Sequence, residues 1–475
     1  MIPPLALEIC VVCLGLFLLM ADSFLVKTDK SALAYGAIVG LGCVLVLSFF
    51  TGSGGAGMEA CGFYVTDPQG MFFKRFALLA TILTLVLAID YAPVVERFIP
   101  GSAPQAGVGE FFVLPVFTCA GLMWLATAAD FIMIFCALEL VTISFYVQVA
   151  YMRRSAASLE AGTKYLILGA LSTGFLVYGI TWIFGMTGQT NLQQIANVPA
   201  SAGLLFGIGL VLVALGFKIA AVPFQFWVPD VYQGAPTPVA AYLSVASKAA
   251  GFAVLVRVLE PFLALSTLRE KLLPVLSVLA ALTLLYGNLA AIPQTNFKRL
   301  LGYSSIAHAG YLLVGVASYG AVFAGRAILF YLFGYLVMTF LAFLVLVPVA
   351  KATGGEEISH FNGLGRRSPG LAFSMLLAML SLAGLPFTVG FLGKFFLFEA
   401  AMSQQKYPLV VIGVVTVACG FYYYLKIIRA MYWQAPPEDA PAITVSLPSR
   451  VAIIILSALI LILGVYPQPL LRMLP

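Results

Sequence analysis

GFKIAAVPFQFWVPDVYQGAPTPVAAYLSVASKAAGF, residues Gly216 to Phe252, carries two signals that conflict. Its flanks continue as apolar helix on both sides, yet Lys218 and Lys248 stand inside those runs. Between them Pro223 lacks a backbone donor and crowds the preceding turn, so the first helix should be interrupted at Ala221 to Phe224. A lysine at mid-bilayer costs roughly 2.5 to 3.5 kcal/mol on insertion scales. Two of them beside a broken helix predict a polar path through a membrane, because unwound backbone persists at that depth only against protein or water.

The rest of the chain fits that setting. Of 475 residues, 62% are hydrophobic and only 9% charged, the balance of a polytopic membrane protein. Apolar runs long enough to span the hydrocarbon recur about fourteen times, from 4–23 at one end to 449–470 at the other, the third (76–91) being short. The fold class is therefore all-α, with about 14 transmembrane helices. The longest polar connections, 52–75, 92–108, 351–370 and 433–448, are too short for further domains, so residues 1–475 read as a single membrane domain. GSGGAG at 52–57 and QAPPEDAPA at 434–442 read as exposed loops. The first run lacks the basic flank of a cleaved signal and reads as a retained helix.

Lys and Arg in the connections that follow odd-numbered helices number about thirteen, including Lys27, Lys30, Arg153, Arg154, Lys298, Arg299, Arg366 and Arg367, against about eight on the other side. The positive-inside rule then places both termini on the non-cytoplasmic side. No basic run exceeds two adjacent residues, which excludes a nucleic-acid reading of the net charge of +6. Cys10 and Cys13 form a CxxC inside the first apolar helix, where they read as small hydrophobes. With only His308 and His360, a two-histidine haem within the membrane is not available, and no dinucleotide or phosphate-loop fingerprint is present. No cofactor of its own is expected in this chain, and no metal site.

A second interruption, GLPF at Gly384 to Phe387, resembles the AVPF break and suggests an internal repeat of two five-helix units, 109–259 and 272–432. An odd number of helices per unit would invert one copy relative to the other, each copy containing one broken helix. The match is imperfect: Lys218 precedes its proline by five residues, whereas Lys394 follows its proline by eight. Ordinary proline kinking is the alternative.

Glu139 lies near the centre of an apolar helix, with Thr142 and Tyr146 three and seven residues on, so that the three form a polar stripe facing away from lipid. It reads as a proton-handling carboxylate or as half of a fixed ion pair. The deep basic residues are all lysines. A buried lysine can lose and regain a proton where an arginine cannot, which favours titration over static pairing. Lys248 shares its surroundings with Ser244, Ser247 and Gly251, a small, polar stripe able to admit water. Lys394 follows Gly390 and Gly393 just past the second break. Lys164 is nearer a helix end and reads either as part of the same set or as a side chain snorkelling to the interface. His308 shares a face with Ser304 and Tyr311 and suits either a packed core or a relay. Tyr422, Tyr423, Tyr424, Lys426 and Arg429 read as an interfacial belt with cationic anchors.

Three stretches resemble the antiporter-like membrane subunits of proton-pumping NADH:quinone oxidoreductase, respiratory complex I: Gly216–Phe252, Asn296–Tyr311 (NFKRLLGYSSIAHAGY) and Gly384–Phe398 (GLPFTVGFLGKFFLF). Length and helix count fit the N-type members of that family, and a lysine at 394 argues for N over M. The resemblance implies that Glu139 is the fifth-helix carboxylate paired with Lys218, that Lys164 modulates the pair, that Lys248 is the central lysine, that His308 is a relay and that Lys394 is the terminal residue. It implies partners as well: adjacent antiporter-like and other membrane subunits within the lipid bilayer of a bacterial inner membrane. FMN, iron–sulfur clusters and quinone are expected in partner subunits.

On that basis Glu139 sets the field at Lys218, which passes a proton toward Lys248, past His308, to Lys394. At an effective dielectric near 20, moving a charge pair from about 4 Å to about 8 Å changes its energy by roughly 2 kcal/mol, more than tenfold in a proton equilibrium. A 100 mV potential opposes each transferred charge by about 2.3 kcal/mol, so the drive comes from elsewhere, quinone reduction being the family's answer. The rivals are a subunit of a multisubunit cation/proton antiporter or membrane-bound hydrogenase, a stand-alone secondary transporter, and a structural scaffold.

Overall fold

The computed structural model describes residues 3–24, 30–51, 57–59, 62–100, 107–195, 201–436 and 441–475. Most of GSGGAG and part of QAPPEDAPA, both read as loops, lie outside the described residues, as does Lys27. In chain order the elements are α1 (Leu5–Phe24), α2 (Ser31–Leu47), β1 (Gly57–Glu59), β2 (Tyr64–Thr66), α3 (Pro68–Glu96), α4 (Val108–Thr127), α5 (Phe131–Val149) and α6 (Ala156–Thr187). There follow α7 (Leu192–Ile195), α8 (Ala202–Ile219), α9 (Trp227–Gly234), α10 (Thr237–Tyr242), a π-helical segment (Leu243–Ser247), α11 (Lys248–Ala264), α12 (Ser266–Ala291) and α13 (Phe297–Ala317). The remainder are α14 (Ala324–Thr353), α15 (Leu364–Arg367), α16 (Pro369–Ala383), α17 (Val389–Ser403), α18 (Tyr407–Trp433), α19 (Leu447–Val465) and α20 (Gln468–Met473).

Among the described residues twelve helices are long and apolar enough to cross a membrane, and Ser31–Leu47 and Pro369–Ala383 are shorter apolar helices. The all-α reading needs one small amendment, since β1 and β2 pair antiparallel, Met58 facing Val65. The third helix is also not short. It runs 29 residues from Pro68, with Asp67 accepting a bond from the Gly70 amide as its cap. Lys74, counted as part of a connection, therefore lies inside the helix and makes a fully buried ion pair with Glu8. Charge near a helix start hid the true boundary, because an apolar window excludes the residues that a buried partner makes acceptable.

The chain divides into two compact units, one of Met1–Ala220 with Gly234–Pro274, the other of Ala221–Gln233 with Val275–Pro475. In the first, α6 and α8 approach closely through glycines: a Cβ at Gly179 would stand 2.9 Å from the Gly207 carbonyl oxygen. Without a hydrophobic drive between helices in lipid, such small-residue contacts supply the packing. Asp67 accepts two bonds from Arg257 Nη2, at 3.0 and 2.9 Å, tying the start of α3 to α11. In the second unit α14 has almost all of its length buried and forms the core, while α13 is buried over its whole spanning window.

Both breaks are present. Helix α8 stops at Ile219 with Ala220 in the left-handed region, φ 65°. In the second unit the Val222 amide is satisfied by the Thr283 hydroxyl at 3.0 Å. Helix α16 stops at Ala383 with Gly384 at φ 94°, and α17 resumes at Val389.

Candidate functional site

In the first unit, α5, α6 and α8 converge on the carboxylate and the first lysine. Glu139, at the middle of α5, is half-buried and accepts a 2.7 Å bond from the Thr173 hydroxyl on α6. Lys218, in the last turn of α8, is 4% exposed and donates to the Thr142 hydroxyl on α5 at 3.2 Å. Glu139 and Lys218 make no direct ion pair: each charge is held by a threonine instead. A cavity of about 10 Å³ lies among Thr142, Ser172, Thr173 and Lys218, the space of a single water centre. The face expected of α5 is thus split. Thr142 serves the lysine, and the Tyr146 hydroxyl is buried with no hydrogen-bond partner.

Lys248 opens α11 directly after the π-helical segment and is buried, as are Ser244 and Ser247. A single π turn inserts an extra residue into the helical ladder and re-aims the side chains that follow, a feature frequent at functional positions. One turn on, a Cβ at Gly251 would lie 2.9 Å from Ile219 Cγ2 and 3.3 Å from Lys218 Cγ. Glycine there lets the Lys218 stem lie against the helix that carries Lys248, so these two lysines share one packed region.

In the second unit Lys394 is buried, and its ammonium donates to the carbonyls of Leu382 at 2.8 Å and Ala383 at 2.9 Å. Those are carbonyls that the end of α16 leaves without helical partners. The same ammonium stands 4.7 Å from the centroid of the Tyr311 ring. His308, also buried, has Tyr331 OH 2.5 Å from Nδ1 and Tyr424 OH 3.3 Å from Nε2. Tyr424 also bonds the Ser304 hydroxyl, and the Tyr335 ring lies tilted beside the imidazole, centroids 5.0 Å apart. Tyr311 lies between the two groups, its ring centroid 6.0 Å from the imidazole. A Cβ at Gly393 would meet Tyr331 Cδ2 at 2.6 Å, so glycine seats that tyrosine beside Lys394.

Lys164 is not brought to this set. Its side chain is 42% exposed and pairs along α6 with Glu160 at 2.7 Å. The interfacial-belt reading of residues 422–424 needs correction: Tyr422 is exposed, but Tyr423 and Tyr424 are each 1% exposed. Successive helix positions differ by 100°, so three adjacent tyrosines cannot share one environment. Tyr423 instead donates to Asn288 Oδ1 at 3.1 Å, and Tyr424 belongs to the histidine's surroundings. The buried stripe Gly413, Thr416, Gly420, Tyr423, Tyr424 and Ile427 held the signal, since its helical spacing continues through the inner tyrosines. Lys426 is an anchor of another kind, donating at 3.0 Å to both Ile292 and Gln294 carbonyls beyond the end of α12.

Hydroxyls and carbonyl oxygens can accept bonds from an amine whether it is protonated or neutral. The groups on Lys218 and Lys394 therefore suit side chains that change charge state within apolar surroundings.

Residues 128–420 match the family described as NADH:quinone oxidoreductase/Mrp antiporter, TM. The chain is 41% identical to the NADH-quinone oxidoreductase subunit N of Moorella thermoacetica over 98% of this chain and 96% of that one. It is 40% identical to the subunit N of Trichlorobacter lovleyi, over 98% and 94%. Among solved structures it is similar to a chain of respiratory complex I from Thermus thermophilus with bound aureothin, at 32% identity, TM-score 0.82 and 98% coverage of each chain. A chain of the Mrp complex from a Dietzia species, at 21% identity, TM-score 0.84 and coverage of 99% and 96%, shares the fold.

Proposed function

We propose, from the premise that this chain belongs to the NADH:quinone oxidoreductase/Mrp antiporter membrane family, that it is a proton-translocating N-type subunit of an NADH:quinone oxidoreductase. It works beside other membrane subunits in a bacterial inner membrane and contributes no redox centre. NADH oxidation and quinone reduction fall to partner subunits holding FMN, iron–sulfur clusters and quinone.

The bonding of Lys218 and Lys394 carries this reading. A lysine kept for static pairing would face a carboxylate, and losing its proton would strand that charge. Lys218 faces a threonine and Lys394 two main-chain carbonyls, so proton loss leaves neither with an orphaned anion. Glu139 is bonded to Thr173, which lines the same one-water cavity as Lys218, and it acts as a charge whose distance from Lys218 varies during turnover. A carboxylate bonded to a threonine rather than to the amine supports a field that is switched, because changing that distance alters the interaction by about 2 kcal/mol. Lys248, His308 and Lys394 are the further stations, with Lys164 an outer charge on α6.

Gentle affinity purification in mild detergent tests the assignment. Co-purifying chains with flavin and iron–sulfur absorbance, and NADH-driven quinone reduction coupled to proton uptake, are the expected result. Lys218→Ala and Lys248→Ala are expected to leave the complex assembled and to abolish most pumping. An active lone chain, or sodium transport without quinone chemistry, would overturn it.

A further inference from the structure

A second buried acid–amine pair lies in the first unit, apart from Glu139 and Lys218. Glu8, in the first turn of α1, and Lys74, in the second turn of α3, approach to 2.8 Å, and neither has any exposed surface. Tyr64, on β2, donates to Glu8 Oε1 at 3.3 Å and accepts from the Lys74 ammonium, which also donates to the Pro4 carbonyl at 3.0 Å. Glu8 Oε2 is buried with no hydrogen-bond partner. A buried carboxylate oxygen forfeits its solvation unless a donor meets it, so Oε2 offers an acceptor position to a proton or a water.

Lys74 lies two turns before Thr81 on the same face of α3, about 10 Å along the helix axis. Thr81 Oγ1 and the Tyr242 hydroxyl are 2.7 Å apart, and both are buried. Tyr242 ends α10, and only the π-helical segment separates it from Lys248. In that segment the Ser247 hydroxyl is buried and also lacks a partner. Unmet polar atoms thus stand at Glu8 and beside Lys248, and the bonded hydroxyls of Thr81 and Tyr242 join α3 to the helix that leads to Lys248.

We infer that Glu8 and Lys74 form a second proton-exchange site, one that communicates with Lys248 by way of Thr81 and Tyr242. A proton passes between the Lys74 ammonium and the Glu8 carboxylate, one N–H bond breaking as one O–H bond forms, and the neutral amine is then reprotonated from the side of the Thr81 and Tyr242 hydroxyls. The inference rests on the proton-translocating reading above.

The test uses the intact complex in proteoliposomes, energised with NADH and a quinone, with pumping and turnover measured together. Lys74→Arg keeps the charge and the pair, but a guanidinium does not release its proton. The double variant E8Q/K74Q keeps hydrogen bonding and removes both protonatable groups. Both are expected to assemble and to lose pumping several-fold, and Thr81→Val to lose it in the same sense. Wild-type pumping in Lys74→Arg or in E8Q/K74Q, beside a loss in Lys218→Ala, would overturn this site and leave the parent reading intact. Unaltered pumping in Lys218→Ala would instead remove the parent reading. Should neither pair variant assemble, the apolar double variant E8L/K74M decides: full pumping makes the pair a staple and overturns the proposal, whereas assembly with reduced pumping upholds it.

Discussion

Lys394 reaches back across the second helix break to donate to the main-chain carbonyl of Ala383 at 2.9 Å, eleven residues earlier in the chain. The amine caps the half-helix α16 where its backbone dipoles end, a site that favours a cation. Gly384 makes room for it, since a Cβ there would lie 3.2 Å from Lys394 Cδ. The break and the lysine are therefore one device, in which the interruption supplies acceptors and the side chain satisfies them.

Two substitutions separate those roles. Lys394→Met would leave the Leu382 and Ala383 carbonyls without their donor, and each unmet buried group costs about 1–3 kcal/mol. The melting temperature of the complex should fall along with pumping. Lys394→Arg restores donors to the carbonyls but holds its proton, so stability should recover while pumping stays lost. Recovery of both would show that the site needs only a cation.

Thr142 is bonded to Lys218 and Thr173 to Glu139, and both threonines line the same small cavity. Valine at either position keeps the shape and removes the hydroxyl. Each single variant should slow pumping with assembly intact, and the double variant should cost less than the sum, with a coupling of about 0.5–3 kcal/mol in activation free energy. Strict additivity measured in proton-uptake rates would mean that the two threonines serve separate paths.

How far the site could be read from sequence depended on whether its residues broke the apolar pattern. Lys218, Lys248 and Lys394 did so plainly, and each is buried. Pro223 and Pro386 marked breaks that the backbone shows at Ala220 and Gly384. Lys74 was hidden because a charge near a helix start looks like the end of an apolar run, and its partner Glu8 is 66 positions away. The inner tyrosines were hidden for another reason: Tyr423 and Tyr424 have the composition of an interface, and only the angle around α18 separates them from Tyr422. Helical periodicity does not announce a π-helical segment either, so the turn before Lys248 had no signal in residue type. Nor does a lysine's spacing reveal its partner: the threonine bonds of Glu139 and Lys218 arise only where α5, α6 and α8 meet.

Lys164 offers a contrast among the lysines. Exposed ion pairs of the kind it makes with Glu160 contribute about 0.2–1 kcal/mol. Lys164→Ala should leave the melting temperature of the complex within about a degree or two of wild type by that scale. Pumping should fall far less than in Lys218→Ala. A loss as large as that of Lys218→Ala, measured in the same vesicles, would place Lys164 among the groups that exchange protons.

Neighbouring tyrosines give the most local comparison. Tyr424 OH meets His308 Nε2 at 3.3 Å and also bonds Ser304, whereas Tyr422, two residues earlier, is exposed on the outer face of α18. Phenylalanine at 424 removes one hydroxyl from a buried network and leaves His308 and Ser304 short of a partner, at a cost of about 1–3 kcal/mol. The same change at 422 removes a hydroxyl that water or a lipid headgroup can replace. Tyr424→Phe should therefore lower both thermal stability and pumping, and Tyr422→Phe neither. Because His308 keeps its bond to Tyr331, the residual pumping of Tyr424→Phe should exceed that of the double variant Tyr331→Phe/Tyr424→Phe. Equal activity in the single and double variants would mean that His308 passes protons through one tyrosine alone, and wild-type activity in the double would remove the tyrosines from the path.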